Sequence, residues 1–440
     1  MSRQVYVETY GCQMNAHDSS KILELLNARG YEHTTHIEQA DVVVINTCSV
    51  RELAVQKAYS QIGTLKDIKA QKNTKIVVTG CVAQLEGDQI LKRFNNVDLV
   101  LGPDNIYQIG DLIERTYLNE RLVRAELDES PGFQFLSSVP TTKNNRISGF
   151  VTVQKGCDKN CSYCIVPQVR GREVSRPLEE ITQEISNLVS SGIRDITLLG
   201  QNIDAYRDPK DRRFDVLLHE ASQVKGLNRL RFTTGHPNDF NEKMANVMAT
   251  SPTLCEHLHL PVQSGSDAVL KKMYRGYTRA RYLEKINMVR DKIPDLAITS
   301  DLIVGFPGET EEDFEQTLDL VKLAGFDAAF CYSYSVRPDT KAQLLFKDTV
   351  TEKEKRIRLQ KLIDLVRQTA LARADRFVGR TMEVLVEGPS RLQPNHLTGR
   401  IRHNTVVNFA GHSPIKPGML IPVKIERNIN GFSLWGCVAD

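Results

Sequence analysis

The chain has 440 residues, too many for one hydrophobic core, and should divide into two or three domains. With 41% hydrophobic and 25% charged residues and a mean hydropathy of −0.32, the composition is that of a soluble globular protein. No apolar run approaches a membrane span, and Met1-Ser2-Arg3-Gln4-Val5-Tyr6-Val7-Glu8 lacks the apolar core of a signal peptide, so the expected location is cytoplasmic. Thiols stay reduced there, and an odd count of nine cysteines speaks for metal or catalysis rather than a disulfide framework. The net charge of +3 is unevenly spread: Thr351 to Asp440 carries 15 Lys and Arg against 8 Asp and Glu, whereas the 350 residues before it carry 42 against 46. A terminal surplus of this kind marks a polyanion-binding segment or, over Lys353 to Arg376, a solvated basic helix.

In chain order, Val5–Thr9, Asp41–Asn46, Lys75–Thr79 and Val97–Leu101 are short, mostly β-branched runs. Helix-favouring stretches such as Ser19–Gly30 and Arg51–Lys69 separate them. Alternation of this sort predicts a parallel α/β sheet domain over 1–121. Residues 122–145, with Ser130-Pro131-Gly132 and Pro140 to Asn145, read as a linker. A second strand–helix series over 146–376 has strands at Phe150–Gln154, Ile196–Leu199, Leu230–Thr233, His257–Leu260, Ile298–Val304 and Ala328–Tyr334. Six strands are too few for a closed eight-fold barrel, so a partial (β/α)6 barrel is expected, followed by one long helix from Thr351 to about Arg376. Over 377–440, short strands at Met382–Val386, Thr398–Ile401, Thr405–Phe409 and Leu420–Ile425 alternate with Gly, Pro and Asn turns, which predicts a small OB-like β-barrel.

Cys157-x3-Cys161-x2-Cys164 is the strongest chemical signal. Three thiolates within eight residues can wrap one iron–sulfur cluster and leave one metal position without a protein ligand. A structural zinc site would ask for a second Cys/His pair nearby, and none follows. The triplet comes directly after a strand, at the mouth where such barrels keep their active sites. Tyr163 beside it covers the cofactor or the cluster, or faces solvent. Cys12, Cys48 and Cys81 are far apart in sequence, yet each follows a predicted strand of the first domain. Their side chains therefore leave one edge of a parallel sheet and can converge, with Gly11, Thr47 and Gly80 beside them suited to tight turns. Cys255, Cys331 and Cys437 have no such partners and read as core residues.

A Cys-x3-Cys-x2-Cys loop after the first strand of a partial β/α barrel resembles the radical S-adenosylmethionine (SAM) superfamily. The segments Gly11-Cys12-Gln13-Met14-Asn15, Asn46 to Glu52, Gly80-Cys81-Val82, Leu199-Gly200-Gln201-Asn202, His259 to Ser266 and Asp301 to Thr310 resemble the methylthiotransferase family over essentially the whole chain. Gly-Cys-Gln-Met-Asn is closest to the MiaB-type branch, which acts on tRNA. The resemblance implies two 4Fe–4S clusters, at Cys157, Cys161 and Cys164 and at Cys12, Cys48 and Cys81, with SAM bound at the first. It implies that Gly200, Gln201 and Asn202 meet the amino group of SAM, Ile303 and Gly305 its adenine, and Gln263 and Ser264 the ribose or the substrate base. The final barrel resembles an RNA-binding TRAM domain, with Arg391, Arg400, Arg402, Lys416, Lys424 and Arg427 as expected phosphate contacts. Lys271, Lys272, Arg275, Arg279 and Arg281 form a second basic stretch, set against phosphate or simply solvated; His236 is expected to be structural.

The activity implied is methylthiolation of C2 of N6-isopentenyladenosine next to the anticodon. One SAM methylates a sulfur on the auxiliary cluster and a second yields the 5′-deoxyadenosyl radical. That C–H bond is beyond side-chain acid–base chemistry and calls for a cofactor radical. Implied partners are tRNA, an electron donor such as flavodoxin or ferredoxin, and a sulfur or Fe–S delivery protein, with the chain a monomer and no membrane involved. Rival readings are a methylthiotransferase acting on threonylcarbamoyladenosine or on a ribosomal aspartate, and a non-catalytic RNA-binding Fe–S sensor.

Overall fold

The computed structural model describes residues 2–439 except 51, 129–132, 134, 138–146, 391–394 and 412–414. The Ser130-Pro131-Gly132 and Pro140 to Asn145 parts of the expected linker thus lie outside the described residues, as does Arg391.

The first sheet contains β1 (Arg3–Thr9), β2 (Tyr31–His33), β3 (Val42–Thr47), β4 (Lys75–Gly80), β5 (Leu99–Leu101) and β6 (Leu122–Arg124) in the order β2-β1-β3-β4-β5-β6. Every pairing is parallel. The central strands β3 and β4 are buried throughout, as expected of β-branched strands covered on both faces. Alternate residues divide between the two covers: Val42, Val44 and Val77 pack under the helices Gln13–Asn27 and Ile109–Thr116, and Val43, Ile45 and Val78 under Glu52–Lys72. Leu122–Arg124, assigned above to the linker, is the sixth strand of this sheet, so the linker reading fails for these three residues. Parallel pairing with β5 fixes them more firmly than their own three-residue pattern could signal.

In the central part, β7 (Ser148–Thr152) is followed by the short antiparallel pair β8 (Gln154–Lys155) and β9 (Val174–Ser175). Then come β10 (Asp195–Leu199), β11 (Arg229–Phe232), β12 (His257–His259), β13 (Ala297–Val304) and β14 (Ala328–Ser333). The parallel sheets β11-β10-β7 and β12-β13-β14 join through a bridge between Leu230 and Leu254, which makes the expected six-stranded open barrel. Val151, Ile196, Leu198, Phe232, Leu258 and Leu302 bury against the outer helices, and the alternate positions point inward. The helix Glu352–Ala374 closes this part, capped by Thr351 and Glu354 in a reciprocal capping box.

The closed terminal barrel runs β15 (Thr381–Pro389), β16 (His396–Arg400), β17 (Val406–Ala410), β18 (Leu420–Asn428) and β19 (Ser433–Val438), ordered β15-β16-β17-β19-β18. It docks at the amino ends of the central strands. Arg229, fully buried, donates to Arg400 O at 2.6 Å and Glu383 O at 3.0 Å, and Arg231 donates to Arg402 O at 2.6 Å. Glu256, just ahead of β12, receives the Arg402 guanidinium at 2.7 Å. The barrel therefore sits at the far end of the strands from the edge where the cysteines emerge, a strand length of about 26 Å for β13.

The first sheet domain meets the central part through buried ion pairs: Asp18 with Arg170 (2.7 Å), Asp104 with Lys155 (2.6 Å), and Lys21 with Glu184 (3.7 Å), the last carboxylate also holding Arg176 of its own domain at 2.6 Å. Glu184 is buried between its two cations. Replacing it by Gln leaves Lys21 with Glu24 (3.4 Å) and the buried Arg176 with, among the described residues, only the exposed Glu180 (3.8 Å), so Glu184→Gln should cost about 3 kcal/mol in denaturant unfolding. A loss under about 1 kcal/mol would show that this interface does not depend on the pair.

Candidate active site

Three loops bring the first set of cysteines to one edge. Cys12 follows β1, Cys48 follows β3, and Cys81 begins a short helix directly after β4. The loops abut tightly. A Cβ on Gly11 (φ +141°) would lie 2.6 Å from Cys48 Cβ, and one on Gly80 (φ +92°) would lie 2.2 Å from Thr47 O. Both glycines are thus required by backbone conformation and by close approach. Asn15 fastens the edge, its Nδ2 donating to Asn46 Oδ1 and to Thr47 O at 3.0 Å. Cys81 is buried, and desolvation raises its thiol pKa against the lowering influence of Arg170.

The second set lies in the loop after β8, which the β8–β9 pair pinches at its base. Cys157 N–H donates to Gly171 O at 3.2 Å, and Cys164 N–H donates to Cys161 O at 3.1 Å. A Cβ on Gly156 (φ +70°) would stand 1.9 Å from Arg172 O. Burial pushes the Cys157 thiol up to about 11 and that of Cys164 up to about 12, reinforced in both by the charge of Cys161. Such thiols ionise only when a cation takes the charge, which suits metal ligands and couples cluster binding to proton release. Among the described residues no three Cys, His, Asp or Glu side chains are gathered closely enough to chelate a single metal ion. A cubane holds its thiolates at separate iron corners, further apart than one ion would.

The two sets face each other. Cys81 packs against Ile165 and Val169, and Ile165 directly follows Cys164. Thr152 at the end of β7 donates to Met14 Sδ at 3.6 Å. Met14, Asp18, Thr152, Lys155, Arg170 and Gln201 line a cavity between the two parts, with Phe133 stacked under the Lys155 ammonium at 3.6 Å. Gln201 Oε1 and Asn202 Oδ1 are buried and accept no hydrogen bond. A buried acceptor left unpaired is costly, and Gln201, which lines this cavity, offers its oxygen to an ammonium group arriving there. The donor set and these two oxygens fit a cluster with SAM on it.

Other expected contacts fare differently. Gln263 is buried with φ +76° and bridges to β13, its N–H donating to Asp301 O. Ser264 is fully buried, its hydroxyl 3.3 Å from that of Thr317 and accepting from Ser266 N–H, so it turns away from the barrel mouth and has no face for a ribose. Ile303 and Tyr163 flank an apolar cluster with Val269, Met273 and Phe306. Gly305 (φ +70°) is small because Lys355 fills the space beside it, with Cγ 2.4 Å from a built Cβ; room for an adenine is not what it supplies. At Gly200 a Cβ would meet Gln154 Oε1 at 2.8 Å.

On the terminal barrel, Lys416, Lys424 and Arg427 are exposed, and Arg427 lies 5.7 Å over the Trp435 ring. Arg400 is paired with Glu387 at 2.9 Å. Arg402 is spent on Glu256 and Leu254 O, which removes it from the set of phosphate contacts. Within the basic stretch, Lys271 and Arg281 are exposed, whereas Arg275 is buried against Cys161. Gly276 (φ +73°) breaks the segment there and is the one sequence signal that Arg275 leaves the helical face. Arg170, His236 and Arg275 are the site residues that sequence patterns do not reveal.

Family models match three parts of the chain: the uncharacterized protein family UPF0004 over residues 4–102, the radical SAM superfamily over 151–321 and the TRAM domain over 375–434. Of solved structures, a radical SAM methyltransferase, TsrM, from Kitasatospora setae superposes with a TM-score of 0.57 at 16% identity, covering 78% of this chain and 77% of that one. The fold and the cysteine loop thus define a radical SAM enzyme, a class that binds SAM and a 4Fe–4S cluster. Curated relatives named tRNA-2-methylthio-N(6)-dimethylallyladenosine synthase are 44% identical over 96% of both chains in Geobacter metallireducens, and 42% identical over 97% of this chain and 96% of the relative in Alkalilimnicola ehrlichii. The chain belongs to that family of radical SAM methylthiotransferases. Among the described residues no helix is long and apolar enough to cross a membrane.

Asp204, fully buried beside the site, accepts the His236 N–H at 3.0 Å; burial pushes its carboxyl up to about 8, against the lowering effect of that bond. A folded-state pKa raised this far makes the folded protein hold more protons than the unfolded chain between about pH 4 and pH 8, so stability falls as pH rises through that window. Asp204→Asn keeps an acceptor for His236 and removes the titration. The variant should gain thermal stability relative to wild type on going from pH 5 to pH 8.5, and a pH-independent difference would contradict the assignment.

Proposed function

We propose that this chain methylthiolates C2 of N6-isopentenyladenosine at position 37 of tRNA, next to the anticodon. The observation that supports this reading is the packing of Cys81 on Ile165, the residue after Cys164, which brings the loops of the two cysteine triplets into contact. The relatives' printed activity names the same product. In this reading Cys157, Cys161 and Cys164 hold one 4Fe–4S cluster, and Cys12, Cys48 and Cys81 hold a second. When bound, the clusters supply the electron that cleaves SAM to a 5′-deoxyadenosyl radical and the sulfur that is methylated and transferred, with one SAM consumed for each task. Gln201 Oε1 and Asn202 Oδ1 accept from the ammonium of SAM, with Gly200 setting the turn; Ile303, Gln263 and Tyr163 bound the pocket. Met14 and Phe133 close the cavity to water. Lys416, Lys424 and Arg427, with Arg400 at the margin, meet tRNA phosphates at the far end of the molecule. The working unit is a cytoplasmic monomer served by flavodoxin or ferredoxin as electron donor and by a sulfur or Fe–S delivery protein. An Fe–S sensor without catalysis would leave the two unpaired amide oxygens beside the cluster loop unexplained.

Two measurements separate the parts. Cys157→Ala should abolish reductive SAM cleavage, whereas Cys48→Ala should retain formation of 5′-deoxyadenosine and yield no methylthio product; wild-type methylthiolation by Cys48→Ala would remove the second cluster from the account. The substrate is tested with one tRNA prepared with and without the prenyl group. Burying an isopentenyl group gains roughly 25 cal/mol per Å² removed from water, and its loss loosens an adenine that must be held closely for hydrogen abstraction. Prenylated tRNA should turn over at least tenfold faster. Equal rates would reject the prenyl preference, and turnover of neither would shift the substrate to threonylcarbamoyladenosine or a ribosomal aspartate.

A further inference from the structure

Arg275 is 5% exposed and lies under the cluster loop. Its Nη1 donates to Cys161 Sγ at 3.3 Å and toward Tyr163 Oη at 3.5 Å, its Nη2 to Pro261 O at 2.8 Å, and its Nε to Tyr277 Oη at 3.0 Å. No carboxylate pairs with it among the described residues; the groups that act on its charge are Tyr163, Tyr277 and Cys161. A guanidinium is permanently charged, and burying one without a counter-charge is expensive. Among the described residues in contact with it, the Cys161 thiol is the one that becomes an anion when a cluster is bound.

A second donor points at the same sulfur. His236 Nδ1 accepts Asn238 N–H at 3.2 Å, which leaves the ring proton on Nε2, 4.0 Å from Cys161 Sγ. At the sulfurs of Cys157 and Cys164 the hydrogen bonds come from backbone amides, of Lys159 and Val166, and Arg275 acts on Cys164 through its charge alone. The three thiols are therefore unequal: among the described residues Cys161 is the one of the three whose sulfur accepts a hydrogen bond from a buried cation.

We propose that Arg275 is a positioning residue that raises the reduction potential of the SAM-binding cluster through Cys161. The inference rests on the reading of Cys161 as a cluster ligand. Reduction adds one electron, and so one negative charge, to a cluster already anionic. A fixed cation bonded to a ligand sulfur stabilises that product more than the oxidised form. The electron comes from a low-potential one-electron donor, and no proton is transferred.

The test is an EPR-monitored potentiometric titration of the reconstituted full chain without SAM, in a Cys12→Ala/Cys48→Ala/Cys81→Ala background that leaves one cluster. Arg275→Met should shift the oxidised-to-reduced ratio at the wild-type midpoint at least tenfold toward oxidised, about 59 mV for a one-electron couple. Arg275→Lys, which keeps the charge, should stay within threefold of wild type. A shift under threefold in Arg275→Met, or equal shifts in both variants, would overturn the proposal. Should Arg275→Met hold no iron, the parent chain labelled with guanidino-15N arginine decides. A 15N coupling in pulsed EPR of the reduced cluster supports the contact, and its absence rejects it. Cys161→Ala distinguishes the underlying reading: loss of the cluster upholds Cys161 as ligand, whereas a retained cluster would refute that assignment and the proposal with it.

Discussion

Parallel strands send all their carboxyl ends to one edge, and the placement of both cysteine sets depends on that. Cys12, Cys48 and Cys81 are separated by more than thirty residues each, yet the registers Thr9 to Asn46 and Thr47 to Gly80 bring the strands that precede them to a common end. The central barrel obeys the same rule, so the Cys157 loop and the Gly200-Gln201-Asn202 turn leave its carboxyl edge together. Stacking the two edges makes one cavity. The terminal barrel is attached at the opposite ends of the strands, which keeps RNA-holding surface and chemistry apart.

Buried charge holds this arrangement in register. The interface between the two sheet domains is stitched by Asp18 with Arg170, Asp104 with Lys155, and Lys21 with Glu184, which also holds Arg176 of its own domain. Buried pairs of this kind add little stability over an apolar contact, but a slipped interface would strand each charge, so they favour one alignment. Two of the buried arginines also border a cysteine triplet: Arg170 beside Cys81, and Arg275 beside Cys161. A cation thus stands beside each cysteine set, and burial raises the Cys81 thiol against the lowering influence of Arg170.

Long or strongly patterned elements were legible in the sequence. The six strands of the central barrel and the buried runs Val42–Thr47 and Lys75–Gly80 stand out as short runs of β-branched, aromatic or alternating apolar residues, and the helix Glu352–Ala374 as a long stretch of helix-favouring residues without Gly or Pro. The short strands Tyr31–His33 and Leu122–Arg124 carry no such signal; neighbouring strands impose their conformation. Ser433–Val438 escaped because its Trp-Gly-Cys centre lacks alternation, although it closes the terminal barrel between β17 and β18. At the site, spacing picked out the cysteines but could not weigh side-chain direction. Ser264 turns into the core toward Thr317, Gly305 accommodates Lys355, and Arg402 is consumed by Glu256. Arg275 lay in a run of cations whose exposed members suggested RNA, and only tertiary packing moves it beneath Cys161.

The central claim is that two clusters from two domains share one cavity, and magnetic coupling between them tests it most directly. The anaerobically reconstituted protein should hold about eight irons, the content of two four-iron cubanes. With both clusters reduced, its EPR spectrum should show spin–spin broadening that disappears in Cys48→Ala while the signal of the remaining cluster persists. Two clusters with no magnetic interaction, or a full complement of iron in Cys48→Ala, would contradict the account.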